Sequence, residues 1–414
     1  MQINWLNWRA VILNAIVPVF GVILLFIAHN IAMSDAQLFI TGVHTQTVEA
    51  RVIRVMAVER DEFELGGMSV YELAITFEAT PGGLFTRGSD DMIIATQRIS
   101  SFGTYSLREV AEGDRVVIML SDDEWLFFEH VRIGAIFILV ALFAVLLVVL
   151  GRIKGLNSLI SLCLTCIAIF SVFVPALLSG RNIYLWAVLV CIYTVVVTLF
   201  TVSGINKKSA AAVIGCMGGV IAAGLLAVLM INAINLTGVL DPESISLLHL
   251  REEAPIDLRA IIFASIIIGA VGALMDVAMS ISSALWELKS QADDASFKGL
   301  VKSGLNIGRD IMGTMANTLV LAYIGGSLTI TLLMVTFTSS PAHLLNIEAV
   351  IVDILQAVIG SLGILLTMPL TVIICALWFS RDDGFSERPA RALRIVNTKE
   401  DLGNRLRGIF SKRF

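Results

Sequence analysis

Val131–Leu150 reads VRIGAIFILVALFAVLLVVL, and from Ile133 onward it carries no charged or amide side chain. At 1.5 Å per residue, about 20 apolar residues in a helix match a bilayer core of about 30 Å. A soluble fold would have to bury such a helix on every side. The rest of the chain has the same character: of 414 residues 57% are hydrophobic and 15% charged, where soluble domains average about 25% charged. Mean hydropathy is +0.86. This composition excludes an ordinary soluble enzyme and predicts a polytopic α-helical membrane protein.

Working outward from that run, similar stretches predict about eight spans. They are Trp8–His29, Val131–Leu150, Leu156–Leu178, Ile183–Val202, Ala210–Ile234, Arg259–Leu288, Asp310–Phe337 and Glu348–Phe379. The first is long for a signal-peptide core and no small-x-small cleavage site follows it, so an uncleaved anchor is expected. The resulting plan is an N-terminal anchor over residues 1–32, a polar domain over 33–130, a multi-span domain over 131–380 and a tail over 381–414.

Charge sets the expected orientation. The chain holds 29 basic and 34 acidic residues, net −5, but they are segregated. Ile31–His130 has 7 basic against 17 acidic residues, whereas Arg381–Phe414 has 9 basic against 5 acidic. Arg152 and Lys154, Lys207 and Lys208, Lys289 to Arg309 and the tail then share one side. The positive-inside rule puts that side, with both termini, in the cytoplasm.

Within the acidic region, Thr47–Val58, Tyr71–Phe77, Met92–Ile99 and Arg115–Leu120 are rich in β-formers. Gly66-Gly67, Pro81-Gly82-Gly83 and Gly113-Asp114 punctuate them as turns. About five short strands in Thr45–Phe128 suit a compact extracytoplasmic all-β barrel, with the oligonucleotide/oligosaccharide-binding (OB) shape as one candidate. Its acidic balance would repel phosphate, so nucleic acid is not an expected partner. A lid or docking module is the plainer reading. All five cysteines fall in predicted spans, so no disulfide framework is expected; Cys163 and Cys166 have C-x-x-C spacing, but read as packing residues.

Ionisable groups inside spans are costly and need a reason. In the sixth span Ser265, Gly269, Gly272, Asp276, Ser280, Ser283 and Glu287 recur at steps of three and four, on one helix face. The seventh carries Asn306, Asp310, Gly313, Thr314 and Asn317 on one face. The eighth carries Asp353, Gln356, Gly360, Thr367 and Thr371 more loosely, with Pro369 as a potential kink. Small residues also serve close helix packing. Two readings of the acids stand side by side. In one, Asp276 pairs with Arg309 and Asp310 stabilises a helix N-terminus. In the other, Asp276 and Asp310 form a cation or proton site between helices, with Asn306, Thr314 and Asn317 as oxygen donors.

Other chemistry is thin. The five histidines and the acidic Asp241–Asp257 loop lie at the external boundary without the tight spacing of a metal site. Asp241-Pro242 reads as a helix start, predicting a short surface helix to about Leu250. No phosphate-loop, zinc-protease or serine-hydrolase motif is present, and no cofactor fingerprint. The Lys289–Lys302 link reads as a solvated connector, or as a contact for a cytoplasmic protein. Gly215 and Gly219 form a G-x-x-x-G that suits helix contacts within or between chains.

Gly269–Leu288, GAVGALMDVAMSISSALWEL, followed by Ser303–Tyr323, SGLNIGRDIMGTMANTLVLAY, resembles the YibE/F-like family of bacterial multi-pass membrane proteins. The resemblance covers about Gly155 to Phe379. In the β region it is confined to the first strand and the Glu112–Val116 turn. It implies a bacterial plasma-membrane location and a β module preceding the spans. It draws attention to Asp276, Asn306, Arg309, Asp310 and Asn317, and supplies no substrate. The leading expectation is a transporter or permease component for a small solute or ion, not an enzyme, with spans six to eight lining the path. The rival is a scaffold or assembly factor that recruits an envelope partner through the β module.

Overall fold

A computed structural model describes residues 8–33, 47–65, 68–82, 92–100, 108–121, 123–249, 256–291, 296–338 and 340–380, apart from some side chains near segment ends. The basic tail, His44, the Gly66-Gly67 turn, Glu252, Glu253 and residues 292–295 lie outside these segments. The chain divides into two compact units, Leu38–Gly155 and a second made of Met1–Gln37 with Leu156–Phe414.

The first unit contains a closed five-stranded barrel. Strands β1 (Thr47–Leu65), β2 (Met68–Pro81), β3 (Ile93–Ser100), β4 (Arg115–Ser121) and β5 (Glu124–His130) follow the order β1-β2-β3-β5-β4. All pairings are antiparallel except β3 with β5, an arrangement compatible with the OB shape. Alternation places Ile75, Phe77, Ala79, Ala95, Val116 and Ile118 inside. Gln97 is fully buried and is satisfied by Val110 N–H, which donates to its Oε1 at 2.8 Å, and by Arg108 O, which accepts from its Nε2 at 3.0 Å. Gly113 takes φ +89° in the turn read from the sequence. Asp114 beside it accepts from Arg108 and from Ala111 N–H, both at 3.0 Å.

Helix α2 (Ile133–Ala168) follows the barrel and continues through a π-helical turn, Ile169–Phe173, into α3 (Val174–Leu178). The full run is 46 residues, about 69 Å if straight and more than twice a bilayer core. Arg152 breaks it with φ 50° and ψ −132°, at the link expected between the second and third spans.

The second unit is helical: α1 (Trp8–Ala32), α4 (Ile183–Ser203), α5 (Lys207–Ala233), α6 (Pro242–His249), α7 (Leu258–Gln291), α8 (Phe297–Gly326), α9 (Leu328–Phe337), α10 (Pro341–Leu344) and α11 (Glu348–Ser380). Local chemistry fixes several ends. Asn182, Asn206 and Ser296 cap α4, α5 and α8 by accepting from the N–H three residues on. Gly204, at φ +77°, terminates α4. The short helix expected after Asp241-Pro242 is α6.

Helix α7 is the hub, with α4, α5, α8 and α11 all packed against it. Ile266, Ile267, Leu274, Ile281 and Leu285 are fully buried there. The G-x-x-x-G of α5 is an intrachain contact: Gly215 lies on Thr371 and Gly219 on Thr367, too close for a Cβ at either. Helix α8 crosses the α7–α11 seam through two more glycines, Gly304 against Val372 and Leu285, and Gly308 against Met368 and Ile281.

Among the described residues, five helices are long and apolar enough to cross a membrane, or six if a bent pair counts as one. That pair corrects the expected seventh span. The helix starts at Phe297, not Asp310, and bends by 61° between α8 and α9.

Candidate functional site

The bend follows from Gly325-Gly326-Ser327, two poor helix formers and a serine whose hydroxyl bonds back to the preceding turn. Helix α8 alone has 30 residues, about 45 Å, so the chain has length enough to cross before it turns. Polar groups from three helices gather at the turn. Ser327 Oγ donates to Tyr323 O at 3.0 Å and lies beside the Asp353 carboxyl. One turn along α11, Gln356 Nε2 donates to Ser265 Oγ on α7 at 2.8 Å. Gly269, one turn beyond Ser265, gives the Tyr323 hydroxyl room to lie against the α7 backbone. That hydroxyl is shielded and has no hydrogen-bond partner among the described residues. The turn therefore offers a carboxylate, a hydroxyl beside it, an amide and a phenol, on a half-covered surface.

The sequence identified Asp353, Gln356, Ser265 and Gly269 as stripe residues but missed Tyr323 and Ser327. Gly325-Gly326 was the available signal, because paired glycines interrupting an apolar run mark a broken span.

The structure places the other candidates differently. The α7 stripe is a single face, as expected; Gln356 and Tyr323 reach it at Ser265 and Gly269, and the chain leaves it largely uncovered from Gly272 onward. Ser265, Gly269, Gly272, Asp276, Ser280 and Glu287 are exposed, while Ser283 is half-buried. Asn306, Asp310, Gly313, Thr314 and Asn317 are likewise exposed on α8, whose buried residues are Leu300, Gly304 and Gly308. The Thr314 hydroxyl donates to Ile311 O of its own helix at 2.9 Å. Asp310 lies in the interior of α8, so it does not stabilise a helix N-terminus. No ion pair joins Asp276 to Arg309 among the described residues, although the antiparallel α7–α8 register sets them within about one turn in depth. Asp276 and Asp310 are also at similar depth, but no hydrogen bond links them or brings Asn306 or Asn317 to either.

Two further polar anchors brace the helix ends. The Glu348 carboxylate accepts from Thr237 N at 3.1 Å, Thr237 Oγ1 at 3.0 Å and Gly238 N at 3.0 Å, tying the start of α11 to the loop after α5. The His29 ring approaches Ser171 O in the π-helical turn at 2.6 Å, and Ser179 Oγ donates to Ala32 O at 2.6 Å, which secures the end of α1. Among the described residues no three His, Cys, Asp or Glu side chains cluster to hold a metal ion.

The YibE/F-like family model matches residues 139–381, more than half of the chain. The chain belongs to the YibE/F-like family. The matched region runs from α2 to the end of α11, so it takes in the broken helix, both exposed polar faces and Asp353; the barrel lies outside it. Family and apolar helices together point to a membrane protein. No curated protein and no solved structure matches the chain.

Proposed function

We propose that this YibE/F-like protein is a bacterial plasma-membrane transporter or permease component for a small solute or ion. In this reading the apolar helices form about eight spans, α2 supplies two of them on either side of Arg152, and both termini are cytoplasmic. The observation that carries the transport reading is the break between α8 and α9, with Asp353, Ser327, Gln356 and Tyr323 beside it. Interrupted helices are where many transporters hold their cargo or coupling ion, because unwound backbone and helix ends supply dipoles inside the apolar layer. Asp353 would carry the negative charge at that point, with Ser327 and Gln356 as neutral partners. Asp276, about 16 Å deeper along α7 than Ser265, would be the next polar step.

The test is flux in proteoliposomes, run across protons, alkali cations and divalent cations. Asp353→Asn is expected to lower the transported flux at least about tenfold, as loss of a charged ligand should, and Ser327→Ala to lower it less. Unchanged flux and unchanged ion binding in Asp353→Asn and Asp276→Asn would sink the site.

A second reading, a scaffold that recruits an envelope partner, draws support from the barrel. Met92, Ile94 and Phe128 are exposed on its surface at 67%, 57% and 57%. It expects deletion of the barrel to abolish function while the aspartate substitutions act only through stability.

A further inference from the structure

We propose that the exposed polar faces of α7 and α8 are covered by a second copy of this chain, related by a two-fold axis along the membrane normal. In this arrangement α7 of each copy packs on α8 of the other. The inference goes beyond the transport reading and does not depend on it, since these faces need cover whether or not anything moves along them.

Within the apolar depth of the two helices, Asp276, Asp310 and Asn317 are exposed on the surface of a single chain. A carboxylate facing lipid is costly and needs a partner or polar cover. Gly272 and Gly313 stand among these groups, and nothing lies within 4 Å of where a Cβ would project from either. Polar side chains flanked by open glycines are what close helix pairing in a bilayer uses.

Charge and depth select a second copy as the occupant. The exposed face of α7 carries acids, Asp276 and Glu287, and the exposed side of α8 carries two bases, Lys302 and Arg309, beside one acid, Asp310. Neither α7 acid meets either base in an ion pair within the chain. Because Gly304 lies against Leu285 and Gly308 against Ile281, the antiparallel register sets Glu287 level with Lys302 and Gly272 level with Asn317. A two-fold axis along the membrane normal keeps every residue at its own depth while exchanging the helices. It therefore brings Glu287 to Lys302 of the other copy, and Asp276 within about a turn of both Asp310 and Arg309. The chain's own run Ile133–Leu150 is a poor alternative cover, having no polar side chain to offer.

The test uses the full chain, with its five cysteines replaced, in lipid nanodiscs. Copies per disc are counted by photobleaching, and two are expected. Two differently tagged chains, one Gly272→Cys and the other Asn317→Cys, should crosslink on oxidation, whereas Leu225→Cys on the exposed side of α5 should not. Glu287→Lys should weaken the dimer roughly fivefold, the scale of exposed ion pairs, and adding Lys302→Glu in the same chain should restore it. One copy per disc overturns the proposal. So does crosslinking confined to Leu225, a different polypeptide on this face, or a bridge from Gly272 to Ile133–Leu150 of the same chain. Loss of flux with the dimer intact would leave this proposal standing and concern only the transport site.

Discussion

At the level of single residues, glycine does two separate jobs in this chain. On α5 it is a contact: Gly219 faces Thr367 so closely that its missing Cβ defines the α5–α11 separation. Gly219→Ala should therefore cost about 1–3 kcal/mol, the usual penalty for overpacking. Thermal unfolding in detergent or nanodiscs would read this as a lower midpoint, and Thr367→Ala in the same chain should recover part of the loss. On α7 and α8, Gly272 and Gly313 face open space, so alanine there should leave the midpoint of the single chain almost unchanged. The sequence showed these residues as the same pattern of small side chains at helical spacing. Which glycines touch a neighbour depends on which helix lies opposite, and spacing along one helix carries no such information. Asp276 and Asp310 show the same limit: their faces were legible from period alone, but the absence of a partner on those faces was not.

Among the elements, the turn between α8 and α9 departs most from expectation. Hydropathy stays high across Gly325-Gly326, so a window average reads one continuous span, while backbone preference at the glycines permits the chain to bend. Each glycine costs about 1 kcal/mol of helix relative to alanine. Replacing both with alanine should bias α8 and α9 toward one straight helix. Spin labels at Thr314 and Thr336 would then move from about 28 Å apart to about 33 Å, from helix rise and the bend angle. An unchanged distance would mean that Ser327 and Asp353, rather than the glycines, hold the bend. The barrel's elements were more legible, because a period of two with Gly and Pro punctuation marks strands locally. Closure through β1–β4 and β3–β5 joins strands far apart in sequence, and no local pattern specifies it.

On the scale of the whole molecule, the two units differ in what stabilises them. The barrel closes around its own core of Phe77, Ile118, Val116 and Ala79, and the buried Gln97 is satisfied from within. Residues 45–130 expressed alone should therefore fold as a soluble, cysteine-free β domain with one cooperative unfolding transition, checked by circular dichroism; a non-cooperative melt would show that it needs the helices. The helical unit offers no such independence in water, because its apolar surface exceeds what one chain can bury. By itself the sequence determined the apolar helical character of the chain, the places of its long apolar helices apart from the seventh, the β module and the helical face of each polar stripe. Those follow from composition and from periods of two and 3.6, which act along the chain. Tertiary structure alone decided that α5 and α11 meet through glycine, that α8 breaks beside Asp353, and that the polar faces of α7 and α8 stay uncovered. Each of these depends on which surfaces are brought together by residues distant in sequence.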